Sequence, residues 1–372
     1  ILPHYNYIIN HIAGFCNMQY AFYSPFFLFF CRHYDHAQNI HHAVITRKQV
    51  SGRIIGNSKE KKKAYTKMKH KVSISIGELQ EQCGDREALR LAKEMGVDAV
   101  DFNTCGRKWD YRNPDSVYSK SDDEICSYYA DLRKYADSIG LEIGQTHGQI
   151  KGFIDKTEDD EALITNGRID CMAASALGAP YVVMHSVTTI FMGPDCPPEK
   201  MRNLNADMFC RLIPFAKKYG VKLASETFGD ATGLGCCDFF GNINEFIKSF
   251  NRVRAIGDNA DWLTTCVDTG HSNKATRYNV NPSPADVIRL LGPNVSALHL
   301  NDNDTLTDQH KIPMTGTIDW NDVFDALDEI NYQGTYNMEL NLCHFGKKFA
   351  VETAAFAVKV MRFMLDERYG KN

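Results

Sequence analysis

From residue 71 to the C terminus the sequence alternates short apolar segments with amphipathic ones eight times, and this alternation is the strongest constraint on its fold. Strand-like runs stand at 72–77, 97–104, 141–147, 180–186, 221–227, 262–270, 295–301 and 334–341, each followed by a helix-like stretch. Parallel strands joined by crossover helices produce this pattern. Gly96, Gly140 and Gly178 each stand just before a strand as helix stops, SDDE at 121–124 resembles a capping box, and a last helix is expected over 347–369. No Gly-rich GxGxxG turn follows the first strand, which disfavours a doubly wound sheet. The expected fold class is α/β, a single (β/α)8 barrel. Such a barrel needs roughly 250 to 300 residues, and the chain has 372.

Chemistry-bearing residues recur at one place in this pattern. The segments QTHG, VVMHS, ASETFG, CVDTGH, ALHLND and NMELN put His147, His185, Glu226, Asp268, His299 and Glu339 at strand ends, with His271 three residues after Asp268. In a (β/α)8 barrel these positions converge on one face, where active sites of that fold are built. A lone histidine or acid at a strand end is most often structural or a loop cap. Their joint appearance on six strands points to a metal enzyme instead.

Glu226 and Glu339 are expected roughly opposite each other across the mouth, with Asp268 and His299 on the strands between. These four are the expected ligands of one divalent ion. A His/Asp/Glu set without cysteine suits Mn²⁺, Mg²⁺, Co²⁺ or Zn²⁺, with Mn²⁺ favoured. An ion there would polarise a carbonyl and its neighbouring hydroxyl, with Glu226 and Glu339 as acid and base on the two faces of an enediolate. That chemistry is aldose–ketose isomerisation or epimerisation. His147, His185 and His271 are expected to contact sugar hydroxyls, together with Asp308 and His310, which alternate along an extended loop. Trp109 and His344 have weaker claims.

Charge narrows the partners. Residues 1–67 hold nine Lys/Arg against Asp35 and Glu60, a net of +7; subtracting this from the total of −4 leaves −11 for residues 68–372. A body this acidic disfavours nucleic acid, whose binding rests on Lys and Arg neutralising phosphates. The 12 cysteines are scattered without a CxxC pair, so free thiols in a cytoplasmic protein are expected rather than a disulfide framework. Residues 1–67 are read as a non-barrel extension, either disordered or upstream translation with a start at Met68, and residues 68–372 as the barrel. The aromatic run Phe22 to Phe30 is too short to span a bilayer. No membrane partner is expected, and a homo-oligomer is open.

The fragments VDTGH (267–271), LHLND (298–302) and DQHKIPMTGTIDW (308–320) resemble the xylose isomerase-like TIM barrel superfamily, over about residues 71–368. That superfamily includes sugar (phosphate) isomerases and epimerases, inosose-processing enzymes and the endonuclease IV group. The resemblance implies a metal held by Glu226, Asp268, His299 and Glu339. It departs from ketose 3-epimerases: their second substrate carboxylate has no counterpart at the matching place in 227–235, and no H-x-x-E-x-x-R follows the seventh strand. His147, His185, Glu226, Asp268, His271, His299, Asp308, His310 and Glu339 can each be laid onto the zinc ligands of the endonuclease IV group. Against that branch stand the acidic body, the IDW ending and Gly148–Gln149 after His147. The expected activity is therefore a metal-dependent sugar isomerase or epimerase acting on a small sugar or cyclitol. The alternatives are a zinc-dependent abasic-site endonuclease, an inosose dehydratase-type lyase, or a non-catalytic binding module.

Overall fold

The computed structural model describes residues 70–278 and 281–370. The expected extension, residues 1–67, lies outside the described residues. Eight strands follow in chain order: β1 (Val72–Ser75), β2 (Ala99–Asn103), β3 (Glu142–His147), β4 (Tyr181–Met184), β5 (Lys222–Glu226), β6 (Leu263–Asp268), β7 (Val295–His299) and β8 (Tyr336–Met338). Each pairs in parallel with its sequence neighbour from β1 through β7, and β8 pairs with β1. The last seam, between β7 and β8, is carried by a parallel bridge from Leu300 to Met338 just past the end of β7. The expected (β/α)8 barrel is the observed fold.

The strands are shorter than the apolar runs that announced them. His185 and Glu339 lie one residue past β4 and β8, and the His185 amide bonds the loop carbonyl of Gln149 rather than a strand. The polar ends of the runs leave the ladder and enter the mouth. A minor hairpin, Asp230–Ala231 with Cys236–Cys237, grows from the loop after β5.

Helices start and stop as local chemistry dictates. Ser121 accepts from the Glu124 amide while the Glu124 side chain returns to the Ser121 amide, so the helix Asp122–Ser138 opens on a full capping box. Helix Thr157–Leu177 ends on Gly178 at φ 78°, a left-handed position that favours glycine. The first crossover holds two helices, Gly77–Cys83 and Asp85–Glu94, where the spacing suggested one.

Two apolar regions follow from this layout. A large cluster fills the space between strands and surrounding helices, and a small one inside the barrel consists of Val183, Ala224, Cys266 and Ala297. Small residues inside leave room above them for the polar side chains of the C-terminal ends. Among the described residues, no helix is long and apolar enough to cross a membrane.

Candidate metal centre

Nine of the ten acidic and histidine residues singled out in the sequence, all but His344, meet at the C-terminal mouth. Glu226, Asp268, His299 and Glu339 each bring a ligand atom to within 4.8 Å of the others, as do His147 with His185 and Glu226, and Asp268 with His271 and His310. Asp308 joins the last group, with Oδ2 3.4 Å from Nε2 of both His271 and His310. Glu226, on β5, is the hinge of the set: its carboxylate lies 3.0 Å from His299, 3.1 Å from His185, 3.5 Å from His271 and 3.6 Å from His147.

The histidines are anchored on one nitrogen and open on the other. His147 Nδ1 lies 3.2 Å from the Gly148 carbonyl, His271 Nδ1 3.1 Å from that of Thr227, and His310 Nδ1 3.1 Å from that of Glu339. A carbonyl accepts only, so each Nδ1 donates and each Nε2 is left facing the carboxylates. His299 is turned round: Nε2 sits 3.0 Å from Asp101 Oδ2, and Nδ1 faces Glu226 and Glu339 at 3.0 and 3.1 Å. Metal-binding imidazoles are held in this way, with the remote N–H on a carbonyl or carboxylate and the near lone pair directed at the ion.

Two further observations fit a cation. Glu226 Oε2 is buried with no hydrogen-bond partner, His185 Nε2 at 3.1 Å being a contact without hydrogen-bond alignment. The four central donors are one nitrogen and three oxygens, and ligand bonds of about 2.1 Å set them up to ~4 Å apart. The observed spacing needs only a small contraction to reach that. Asp268 is fixed for such a role, since its carboxylate caps helix Thr269–Ala275 by accepting from the His271 amide at 2.6 Å and from Asn301 Nδ2 at 3.0 Å.

The charges balance by proton uptake. Burial opposes ionisation throughout, yet His299 and His185 pull Glu226 well below the usual carboxylate range, and His271 and His310 do the same to Asp308. Glu339 is also lowered, by His299 and His310. Against the same burial, Cys105, Glu339 and Glu226 push His147 up to about 10, and Asp308 chiefly raises His310 to about 10. His271 and His299 stand well above their ordinary value against burial, the first through Asp268 and Asp308, the second through Cys266, Glu339 and Glu226. Asp268 goes the other way, raised by burial and by the like charges of Glu226 and Glu339 despite His271 and His310. The sequence-based scheme asks one of Glu226 and Glu339 to hold a proton; both are pulled down, and the raised carboxyl is Asp268.

The loop after β7 explains the DQHKIPMTGTIDW segment. Asp302 Oδ2 accepts from the Trp320 indole at 2.9 Å, and Oδ1 from the Asn303 and Ile318 amides at 2.9 and 3.2 Å. A Cβ on Gly316 would come 2.2 Å from Asp302 Oδ1 and 2.3 Å from the Asn303 carbonyl, so only glycine fits. Asp319 caps the helix Trp320–Glu329. The loop so tied carries Asp308 and His310 to the site, with His310 at φ 45°.

Two positioning groups were not singled out in the sequence. Asp101, mid-strand on β2, is fully buried and collects His299, Ser75 Oγ at 2.8 Å and Gln145 Nε2 at 3.2 Å. Its signal was there to find, because a carboxylate inside an apolar strand must have partners. Lys274, also buried, pairs with Asp230 of the minor hairpin at 2.6 Å and lies 3.6 Å from Asp308. Trp109 is buried in the core, not open to the mouth, and no ligand-type contact joins His344 to the cluster among the described residues.

Comparison with known proteins agrees with this fold. A family model described as "Xylose isomerase-like TIM barrel" matches residues 89–357. The protein y4fM of Sinorhizobium fredii is 27% identical over 182 residues, 47% of this chain and 51% of that protein, so the match spans about half the length of this relative. The crystal structure of a D-psicose 3-epimerase with D-tagatose from Clostridium cellulolyticum H10 superimposes with a TM-score of 0.60 at 15% identity, over 79% of this chain and 99% of the other. That of the IolI protein with a binding zinc atom gives 0.59 at 18% identity, over 80% and 97%. At such identities these structures speak to the fold.

Proposed function

Since the chain belongs to the xylose isomerase-like TIM barrel family, we propose that it is a divalent-metal-dependent sugar isomerase or epimerase. The observation that carries this reading is the convergence of Glu226, Asp268, His299 and Glu339, with Glu226 Oε2 buried and without a hydrogen bond. These four would hold the ion, with Mn²⁺ favoured among Mn²⁺, Mg²⁺, Co²⁺ and Zn²⁺ for a mixed oxygen and imidazole set. When bound, the ion would polarise a substrate carbonyl and its neighbouring hydroxyl, easing loss of the proton between them.

The protein's own groups do the rest. Glu226 and Glu339 begin ionised, so either can remove the proton on its face of the substrate and then carry it for return. His185, His271 and His147, with Asp308 and His310, line the mouth as donors and acceptors for sugar or cyclitol hydroxyls. His299 is held by Asp101 on Nε2 and faces both glutamates through Nδ1. The cysteines at the ten described positions are free, in keeping with a reducing cytoplasm.

The test is solvent-proton exchange by NMR in D₂O, over a panel of ketoses and inososes, with metal content measured in parallel. Metal-dependent exchange at a carbon next to a carbonyl, lost in Glu226→Gln and Glu339→Gln, is expected. Full exchange in either variant sinks the assignment.

A second reading rests on a specific observation. His147, His185 and Glu226 form one flanking set, and His271, Asp308 and His310 another, so the mouth offers ligands for more than one ion. About three Zn per chain and cleavage of abasic-site DNA would favour an endonuclease; about one Mn, Mg or Co per chain favours the sugar enzyme. The net charge of −11 over residues 68–372 weighs towards the small-molecule substrate. An inosose dehydratase-type lyase uses a similar site and is read by loss of water from the same panel.

A further inference from the structure

The last helix, Ala350–Tyr369, buries Thr353, Ala354, Ala357, Val358, Met361, Met364 and Leu365 against the barrel. Its opposite face is not the usual charged one. Phe349, just before the helix, Phe356 and Phe363 are 57%, 57% and 58% exposed. They stand seven residues apart, and two turns of helix return each to nearly the same side, so the three rings form a line about 21 Å long. Single exposed apolar residues are ordinary, but a continuous line of three phenylalanines marks a contact surface.

The charges along the line say what fits it. Glu352 lies between the first two rings and Lys359 between the last two, both exposed and neither in an ion pair among the described residues. Two charges of the same helix are paired away from this line, Arg368 with Asp325 and Asp328 and Arg362 with Asp98, whereas Lys348 and Glu367, like Glu352 and Lys359, are exposed and form no ion pair among the described residues. Turn a second copy of the helix antiparallel about an axis through Phe356. Phe356 then meets its own counterpart, Phe349 meets Phe363 twice over, and Glu352 comes opposite Lys359 to within one residue, about 1.5 Å along the axis. Lys348 falls near Glu367 at either end. A pattern of apolar groups and opposite charges complementary to itself under a twofold is what a closed dimer requires.

We propose that this face is the interface of a homodimer, two copies packing their last helices antiparallel about Phe356. Two helices of 20 residues offer roughly 300–400 Å² each, below the ~800 Å² per partner of a standard interface. The dimer is therefore reversible, with half-dissociation in the micromolar range.

Sedimentation velocity on the full chain across a micromolar dilution series tests this. The wild type is expected to rise from 42.1 kDa towards twice that mass. Phe356→Asp sets two carboxylates face to face on the axis and should weaken association at least ~100-fold, with an unchanged thermal midpoint because the position is exposed. Glu352→Lys and Lys359→Glu, each alone, bring like charges together and should weaken it about tenfold. Mixed in equal amounts they place lysines only against glutamates, and should associate like the wild type. That rescue distinguishes this helix pair from any other contact. A wild type at 42.1 kDa throughout, a dimer indifferent to Phe356→Asp, or no rescue on mixing each overturns the proposal.

Discussion

Replacing Asp101 by Asn should separate metal binding from folding. Oδ2 of Asp101 lies 3.0 Å from His299 Nε2, 2.8 Å from Ser75 Oγ, 3.2 Å from Gln145 Nε2 and 3.4 Å from Asn337 Nδ2, and Oδ1 is buried without a partner. An amide oxygen in the Oδ2 place still accepts from the same donors, while its NH₂ takes the place of Oδ1. Hydrogen bonds to a charged acceptor are roughly twice as strong as neutral ones, so the three shorter contacts lose about 1 kcal/mol each, and the stranded NH₂ costs ~1–3 kcal/mol more. Relief from burying a carboxylate returns several kcal/mol. These offset, and the chain stripped of metal should change in stability by about 2 kcal/mol or less.

Metal affinity has no such offset. The Asp101–His299 contact fixes which nitrogen carries the proton and turns Nδ1 towards Glu226 and Glu339. Losing such a partner lowers affinity about 10–100-fold, or roughly 1.4–2.7 kcal/mol. The assay is competition of Mn²⁺ and Zn²⁺ against a chelating dye, beside thermal unfolding in EDTA. Binding within about threefold of wild type in a folded Asp101→Asn protein would refute the argument, because a remote carboxylate that matters costs tenfold or more. An Asp101→Ala control strands all these donors and should destabilise the chain by more than about 3 kcal/mol.

Other consequences follow from the same geometry. With His147 and His310 raised to about 10, and His271 and His299 raised as well, ion entry must expel protons, so metal affinity should climb by about one log unit or more per pH unit through neutrality. Calorimetry in buffers of different ionisation heat reads that release, and a flat profile contradicts it. The raised imidazoles also stabilise the chelated chain below their ordinary 6.5, a contribution that for His147 and His310 is lost as pH rises through about 10; unfolding midpoints in EDTA should drop over that window. Gly316→Ala drives a methyl into Asp302 and Asn303 and should cost ~1–3 kcal/mol, seen as a lower unfolding midpoint and altered Trp320 fluorescence. Ser121→Ala removes half of a capping box and should cost ~1 kcal/mol by thermal unfolding, with metal binding untouched.

How much of this was readable beforehand depended on whether a residue's role was written in its neighbours along the chain or across the barrel. The eight apolar runs were legible because strands of a parallel sheet, buried on both faces, read as near-continuous hydrophobic segments. His185 and Glu339 were legible for the same reason: each follows such a run directly, and the fold sends every run's end to one mouth. Asp308 and His310 needed only their two-residue alternation. Strand ends were overshot at β4 and β8 because apolar character does not report where the ladder stops and the chain turns into the site. That Asp101 needs partners was legible from a carboxylate inside an apolar strand, but which partners was not: Ser75, Gln145, His299 and Asn337 come from four other strands or strand ends, up to 236 positions away. The positioning of His299 is a property of barrel closure. It exists only once β8 has returned to β1, so a carboxylate that local reading counts as one polar residue in an apolar strand becomes the group that sets which imidazole nitrogen faces Glu226 and Glu339.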